Sequence, residues 1–274
     1  MTSESHMAIY LGALLLAGIA SGFAGGFFGI GGGLLRVPIF LYLFPAFSVT
    51  EDHVFSLAAG TSLALGIPTC LSSTWRQRKE GNLDKELLKA WLPALVVGVV
   101  VGLVISKFSS GVVLRFFFVA VLVIQAVYFL IPNSLKISDH LPSRLGIAAI
   151  SSGIGTLSVM LGLSGGLFTT PTLVAFGQSI HRALATASAG ALLTSTVATV
   201  GMVINGIGAG GTTSYALGYV DLPALGLMAP AVLLFAPLGV RLANRLPARR
   251  LELLFGCLLV VLAADMLREA LERY

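Results

Sequence analysis

The stretch GIGGGLLRVP at residues 29–38 lies inside a strongly apolar part of the chain and decides how the fold is interpreted. Four of its first five residues are glycine, and each Gly in a helix interior costs about 1 kcal/mol relative to Ala. An apolar helix is therefore expected to stop here and to start again after the glycines. Arg36 lies one turn into the helix that starts after the glycines, and a cation inside an apolar membrane segment is a functional hypothesis by default.

The composition of the whole chain predicts an all-α integral membrane protein. Of the 274 residues, 56% are hydrophobic and only 11% are charged, whereas about one quarter of the residues in a soluble domain are charged. A cleaved signal peptide is disfavoured because the first seven residues contain no Lys or Arg. Most of the apolar runs are long enough to cross a hydrocarbon core of about 30 Å: 8–28, 54–75, 90–106, 112–131, 145–163, 182–204, 222–240 and 251–267.

A second copy of the glycine stretch, GLSGGLFTTP, occurs at residues 162–171, at a shift of 133 residues. In both copies the last glycine stands five residues before a proline. Farther on, AGTS at 59–62 matches ATAS at 185–188. Apolar helices resemble one another by chance, but chance rarely keeps glycine and proline in step. The sequence therefore predicts two copies of one unit.

Basic residues indicate that the two copies have opposite orientations. Residues 76–89 carry five Lys or Arg and residues 241–250 carry four, whereas 205–221 carry none. The positive-inside rule places the basic segments in the cytoplasm and 205–221 outside. We therefore predict two domains and a linker: a first inverted repeat at 1–131, a cytoplasmic linker at 132–144 and a second inverted repeat at 145–274.

Inversion requires an odd number of crossings in each repeat. We predict that each repeat consists of a hairpin broken at the glycines and three full transmembrane helices, which gives five segments plus five. The hairpins are 8–28 with 34–47, and 145–163 with 167–178. A short half-helix should begin at Leu34 and at Leu167. The sequence is compatible with hairpins that cross fully and with hairpins that re-enter.

The two breaks predict a binding site for a small anion near the middle of the membrane. Non-helical backbone at that depth is stable only inside protein or beside a wet cavity. In carriers with inverted repeats, half-helix N-termini direct free amides and a partial positive charge at an anion. The candidate substrate-binding residues are the glycines and polar side chains of both breaks, with hydroxyls from the next helix of each repeat: Gly29, Gly31, Gly32, Gly33, Arg36, Thr61, Ser62, Gly162, Ser164, Gly165, Gly166, Thr169, Thr186 and Ser188.

Each polar candidate also has a structural interpretation. Arg36 could pair with a backbone carbonyl instead of an anion, and Ser or Thr hydroxyls often bond the backbone of their own membrane helix. His53 and His181 could carry protons, but helix starts favour capping or interface roles. Asp265 is a candidate for proton coupling close to the headgroups. We predict no catalytic residue, no cofactor and no metal ligand set, since no Cys/His cluster has zinc spacing.

The two glycine clusters before Pro, together with Ala59-Gly60-Thr61-Ser62 and its partner, resemble the TauE/SafE sulfite exporter family, also called the toluene sulfonate uptake permease group. The resemblance covers about residues 8–267. It implies a multi-pass secondary carrier in a prokaryotic inner membrane, with a substrate such as sulfite, thiosulfate or an organosulfonate. Arg36 and Ser164 depart from the pattern expected of the family.

Three alternatives to a carrier are an anion channel, a membrane sensor and a rhomboid-like intramembrane serine protease. Gly162-x-Ser164-Gly165 matches the Gly-x-Ser-Gly of such proteases, but a serine nucleophile needs a histidine base within hydrogen-bond reach. His181 is the only later histidine, and Gly31 stands in place of the serine in the first copy. We therefore expect no enzymatic activity. Expected partners are the anion, the lipid bilayer and, as a coupling ion, protons, with no nucleic acid. The transport direction and oligomeric state are left open.

Overall fold

The computed structural model describes residues 3–28, 31–47, 49–131, 137–138, 140–209, 212–213, 215–243 and 246–273. Nearly all of these residues belong to α-helices, so the predicted all-α class is confirmed. In chain order the helices are α1 (Ser3–Phe28), α2 (Gly33–Leu43), α3 (Glu51–Lys79), α4 (Lys85–Phe108), α5 (Gly111–Leu130), α6 (Arg144–Met160), α7 (Gly166–Ala175), α8 (Ile180–Gly206), α9 (Leu222–Ala243) and α10 (Ala248–Arg273).

The helices have the lengths and surfaces of a multi-pass membrane protein. Within the described residues, α3, α4, α5, α8 and α9 are each long and apolar enough to cross a bilayer. Helices α4 and α5 expose large apolar side chains such as Val97, Val104 and Ile124, which suits contact with lipid tails. In contrast, α3 is largely buried among the other helices. The chain is therefore arranged around α3.

The two breaks fall where the glycine clusters predict them. Helix α2 begins at Gly33 and α7 at Gly166, each one residue before the expected Leu34 and Leu167. Each short helix contains a proline, Pro38 or Pro171. In each half, one helix before the break, one short helix after it and three longer helices follow in the same order, as the five-plus-five prediction requires.

A small β-hairpin is an element of the described chain that was not predicted from the sequence. Strand β1 (Ala216–Leu217) pairs antiparallel with β2 (Val220–Asp221). Gly218 supplies the turn with a positive φ of 58°, a conformation that favours glycine. Helix α2 also ends in a single 3₁₀ turn at Phe44–Phe47.

Contacts between connecting segments define what we call the basic end of the molecule. Arg182 lies 3.6 Å from the Asp84 carboxylate. In the predicted linker, the Ile137 N–H donates to the Ala175 carbonyl at 2.8 Å. Arg249 donates to the backbone carbonyls of residues 129–131. The basic segments 76–89 and 241–250 and the predicted linker 132–144 therefore lie toward one end, which the positive-inside rule predicts to be cytoplasmic.

The opposite end, which we call the hairpin end, contains the β-hairpin. Tyr219 of the hairpin contacts His53, at the start of α3, with 3.1 Å between the hydroxyl oxygen and Nδ1. The hairpin also packs on Gly206, at the end of α8. Helix α3 therefore runs from the hairpin end to the basic end, and α8 runs in the opposite direction.

Glycines bring helices of the two halves into close contact. A Cβ on Gly22 would lie 2.7 Å from the Val232 Cα, and a Cβ on Gly26 would meet the Ala236 carbonyl. Helices α1 and α9 therefore run parallel at close range, which is typical of small-residue contacts in membranes.

Helices α4 and α6 form an equivalent pair. Here the helix before the break, α6, comes from the second half and its partner, α4, comes from the first. Gly98 faces the Ser152 carbonyl and Gly102 faces Thr156. Thr156 adds a hydrogen bond of 2.9 Å from its hydroxyl to the Gly98 carbonyl. Because α4 and α9 run in opposite directions, α1 and α6 do too. These are the directions that two inverted units would have, although the repeat relation itself stays a prediction.

Candidate functional site

Left-handed glycines form both helix breaks. In the first break Gly31 and Gly32 have φ of 74° and 76°, and in the second Gly162 and Gly165 have φ of 69° and 87°. Side chains other than glycine rarely adopt this conformation. Gly32 and Gly165 are also the N-caps of α2 and α7, and neither offers a side chain to the first-turn amides. The first turn of each short helix is therefore without a side-chain cap.

The two breaks contact each other beside the middle of α3. A Cβ on Gly31 would lie 2.9 Å from the Ser164 Oγ, and a Cβ on Gly33 would lie 3.1 Å from the Gly162 carbonyl oxygen. The Ser62 hydroxyl of α3 donates to that carbonyl at 2.9 Å. Seven of the predicted residues, Gly31, Gly32, Gly33, Ser62, Gly162, Ser164 and Gly165, are thus brought together.

Arg36 lies fully buried at this junction, with 0% of its surface exposed. Its Nη2 donates to the Thr69 Oγ1 at 3.0 Å, its Nε to the Ser21 Oγ at 3.3 Å, and its Nη1 to the Ser62 carbonyl at 3.5 Å. A Cβ on Gly32 would lie only 2.8 Å from Nη2. The guanidinium is therefore folded back over the left-handed glycine at the start of its own helix.

The hydrogen-bond partners of this cation in the described part of the chain are all neutral. Among the described residues, no carboxylate is within ion-pair distance of Arg36, and its three hydrogen bonds leave two of the five guanidinium N–H groups without an acceptor. A buried charge without a counter-ion is destabilised by several kcal/mol. The site therefore carries an uncompensated positive charge at the depth where the half-helices begin.

Hydroxyl and thiol groups that the sequence did not single out complete the surroundings of the breaks. Ser21 and Thr69 hold Arg36. The Cys70 thiol lies beside Ser164 and Ser195. The shift of 126 residues that aligns Ala59 with Ala185 also aligns Thr69 with Ser195, so equivalent hydroxyls on α3 and α8 were a signal that could have identified both.

The predicted candidate Thr61 holds the β-hairpin instead of facing the breaks. The Asp221 N–H donates to the Thr61 Oγ1 at 2.9 Å. The Asp221 carboxylate in turn accepts from the Thr213 hydroxyl and from the Ala224 N–H, which caps α9. Next to Thr61, Gly60 packs directly on the Tyr219 carbonyl. The hairpin therefore covers the hairpin-end side of the site, one residue from Ser62.

Comparison with known proteins agrees with this architecture. The model of the sulfite exporter TauE/SafE family matches residues 14–266, which is nearly the whole chain. The chain belongs to the TauE/SafE family. The matched range includes both helix breaks and every described residue of the candidate site, as well as most of the apolar helices.

Two curated relatives of this TauE/SafE chain are probable membrane transporter proteins. One, from Haemophilus influenzae, is 31% identical over 256 residues, which cover 92% of this chain and 96% of the relative. The other, from Methanocaldococcus jannaschii, is 28% identical over 275 residues, covering 96% and 98%. No solved structure matches. The protein is thus a multi-pass membrane protein of a transporter family.

The remaining predicted site residues of this TauE/SafE chain lie in helices α7 and α8 or outside the described residues. Gly166 and Thr169 lie buried in the first turn of α7, after the second break. In α8, the Ser188 hydroxyl donates to the Leu184 carbonyl of its own helix at 2.8 Å. The Thr186 hydroxyl is buried with no hydrogen-bond partner among the described residues. Gly29 lies outside the described residues.

The titratable candidates lie away from the breaks. His53 contacts Tyr219 at the hairpin end, and His181 lines a cavity with Asp84 and Arg182 at the basic end. Asp265 accepts a hydrogen bond of 2.7 Å from the Tyr42 hydroxyl. Ser164 would be the nucleophile in the protease alternative. It lies in the second break and packs against Gly66 in the middle of α3, whereas His181 lies at the basic end.

Proposed function

We propose that this protein is a secondary carrier that binds a small anion, such as sulfite, thiosulfate or an organosulfonate, between the two helix breaks. The observation that carries the proposal is Arg36, a fully buried cation with neutral partners only in the described chain. An anion beside the guanidinium would supply the missing counter-charge. Binding is therefore favoured by relief of the cost of a buried, unpaired charge.

The backbone of the breaks supports the same ligand class. Two short helices begin beside each other, each with a glycine cap that leaves first-turn amides uncapped by side chains. Helix N-termini carry a partial positive charge and bind anions through free N–H groups. The two N-termini and Arg36 together would surround a small anion with hydrogen-bond donors that carry positive or partial positive charge.

The burial of the site supports a carrier cycle. Ser62 and Ser164 are each only 1% exposed, so a bound anion would be enclosed by protein from both sides. Release requires the site to open to one side at a time, and inverted repeats supply two equivalent ways to open. We include in this proposal the division into inverted repeats at 1–131 and 145–274, and a substrate site made of the predicted residues at the breaks.

Flux measurements on the purified protein in liposomes test this function. We expect radiolabelled sulfite, thiosulfate or an aromatic sulfonate to enter saturably and to show counterflow against an unlabelled internal pool. Repeating the measurement with and without a proton gradient identifies protons as the coupling ion or excludes them. Flux that neither saturates nor shows counterflow would establish a channel.

Replacement of Arg36 tests the site itself. Arg36→Ala should weaken anion binding by at least about 30-fold, because truncating one partner of a buried charge pair costs about 2–5 kcal/mol. Arg36→Lys should bind with intermediate affinity, since the charge remains and the planar fork of donors is lost. Scintillation proximity binding of labelled sulfite to detergent-purified protein measures both.

The control for this test is Arg76→Ala. Arg76 carries the same charge but forms an exposed ion pair with Glu80 at the end of α3. The Arg76→Ala protein should therefore bind sulfite with wild-type affinity. A monodisperse Arg36→Ala protein that also binds sulfite with wild-type affinity would refute the central site.

A further inference from the structure

A second polar cavity lies at the hairpin end, separated from the breaks by the β-hairpin. It has a volume of about 530 Å³ and forms where the start of α3, the end of α4, the start of α5 and the end of α8 meet the hairpin. Its polar lining includes His53, Ser106, Lys107, Ser110, Asn205 and Tyr219. None of the described residues that line it is Asp or Glu.

The groups that face this cavity are suited to an anion. Ser106 is 93% buried and its hydroxyl has no hydrogen-bond partner in the described part of the chain. The adjacent Lys107 makes no ion pair with the described residues, so its charge is available. Helix α5, of 20 residues, begins at the cavity wall with Gly111, and its N-terminus adds a partial positive charge.

His53 adds a further polar group. Burial raises the pKa of the Tyr219 hydroxyl, so this hydroxyl stays protonated at neutral pH and is able to donate to Nδ1 of His53, 3.1 Å away. With Nδ1 as acceptor, a neutral imidazole carries its proton on Nε2 and is itself a donor there. Tyr219 thus links the cavity wall to the hairpin.

The comparable cavity at the basic end has a different charge balance. It measures about 430 Å³ and contains Lys85, His181 and Arg182, but also Asp84. Arg182 lies 3.6 Å from the Asp84 carboxylate, which offsets part of the positive charge. Of these two cavities, the one at the hairpin end combines a lysine without an ion pair in the described residues, an unpartnered buried hydroxyl and a helix N-terminus.

We propose that the hairpin-end cavity is a peripheral binding site for a small oxyanion, where Lys107, Ser106 and the N-terminus of α5 hold the anion before it reaches the breaks. That this oxyanion is the transported one rests on the carrier function proposed above. The path inward would run past the hairpin, because Tyr219 lines the cavity and its carbonyl packs on Gly60. Lifting the hairpin would connect the peripheral and central sites.

Counterflow of labelled sulfite into right-side-out vesicles tests the proposal, since these vesicles expose the hairpin end. Lys107→Gln should raise the external KM by about five- to tenfold, the effect of one exposed charge on anion capture. The maximal rate should change less than twofold. Lys107→Arg should restore the wild-type KM, whereas a purely structural role would lower the maximal rate instead.

The matched control is Lys85→Gln, which removes the same charge from the basic-end cavity. It should leave the external KM unchanged. A wild-type KM for Lys107→Gln would overturn the peripheral site while leaving the central one intact. If Arg36→Ala also has a wild-type KM, the carrier site itself fails, so the two failures are distinguishable.

A lipid phosphate has the same oxyanion chemistry and is the competing occupant. Lys107→Gln is therefore also measured in liposomes of phosphatidylcholine alone and of phosphatidylcholine with phosphatidylglycerol. A soluble anion predicts the same rise in KM in both. A rise confined to the liposomes with phosphatidylglycerol would show that the cavity binds a lipid headgroup, which would overturn the proposal.

Discussion

The two helix breaks have similar backbone conformations but differ in charge. Both have a left-handed glycine as the cap of a short helix, and both contact the middle of α3. At the position three residues into the short helix, however, the first break has Arg36 and the second has Thr169. In the site proposed above, both breaks therefore supply the same backbone geometry, whereas only the first break supplies a cation at this position.

The caps themselves should show the largest difference between the breaks. Gly32→Ala places a Cβ 2.5 Å from the Ser21 carbonyl and 2.8 Å from the Arg36 guanidinium, and it adds left-handed strain of about 1–3 kcal/mol. Gly165→Ala has the same strain, but the nearest atom to its Cβ is the Ser158 Oγ, at 3.2 Å. We expect Gly32→Ala to lower the free energy of unfolding clearly more than Gly165→Ala in SDS titrations. Equal losses would show that the two caps are equally crowded.

The hydrogen bond across the breaks should have a smaller effect. Ser62→Ala leaves the buried Gly162 carbonyl without the Ser62 donor and should destabilise the protein by about 1–3 kcal/mol. Ser188, at the matching position of α8, bonds only its own helix among the residues that the structure describes. Ser188→Ala should therefore change stability by less than about 0.5 kcal/mol. The same SDS titration compares them, and a larger loss for Ser188→Ala would contradict this assignment.

The smallest effect should come from the hairpin contact, which one half has and the other lacks. Thr61→Ala removes the acceptor of the Asp221 N–H, at a cost of about 1 kcal/mol. Hydrogen exchange of the hairpin amides should accelerate by about fivefold, because local opening becomes easier. In α8 the corresponding residue is already Ala187. Unchanged exchange in Thr61→Ala would mean that other contacts hold the hairpin.

Helix positions and breaks could be predicted from the sequence because both depend on local properties. An apolar run of sufficient length in this chain must be a membrane helix, and a glycine cluster must interrupt it. The predicted starts Leu34 and Leu167 differ from the observed ones by a single residue. The proximity of the breaks was expected from the predicted repeat, because two equivalent turns related by a pseudo-twofold axis would face one central site.

The partners of the site residues could not be predicted, because they depend on how distant helices rotate against each other. Ser21 and Thr69 reach Arg36 from two different helices. No pattern marks Ser21, and the alignment of Thr69 with Ser195 does not show which residue Thr69 contacts. Thr61 and Ser62 are neighbours, yet one holds the hairpin and the other holds a break. The hairpin itself was missed because two-residue strands leave almost no periodic signal in a loop.

The close pairing of α1 with α9 has a consequence for how the protein is made. The glycine face of α1 fits against Val232 and Ala236, which leave the ribosome only after most of the chain has entered the bilayer. Until then, the first hairpin lies in the bilayer without α9, the helix against which α1 packs in the folded protein. Assembly of this protein is therefore completed late, when α9 has been synthesised and packs against α1.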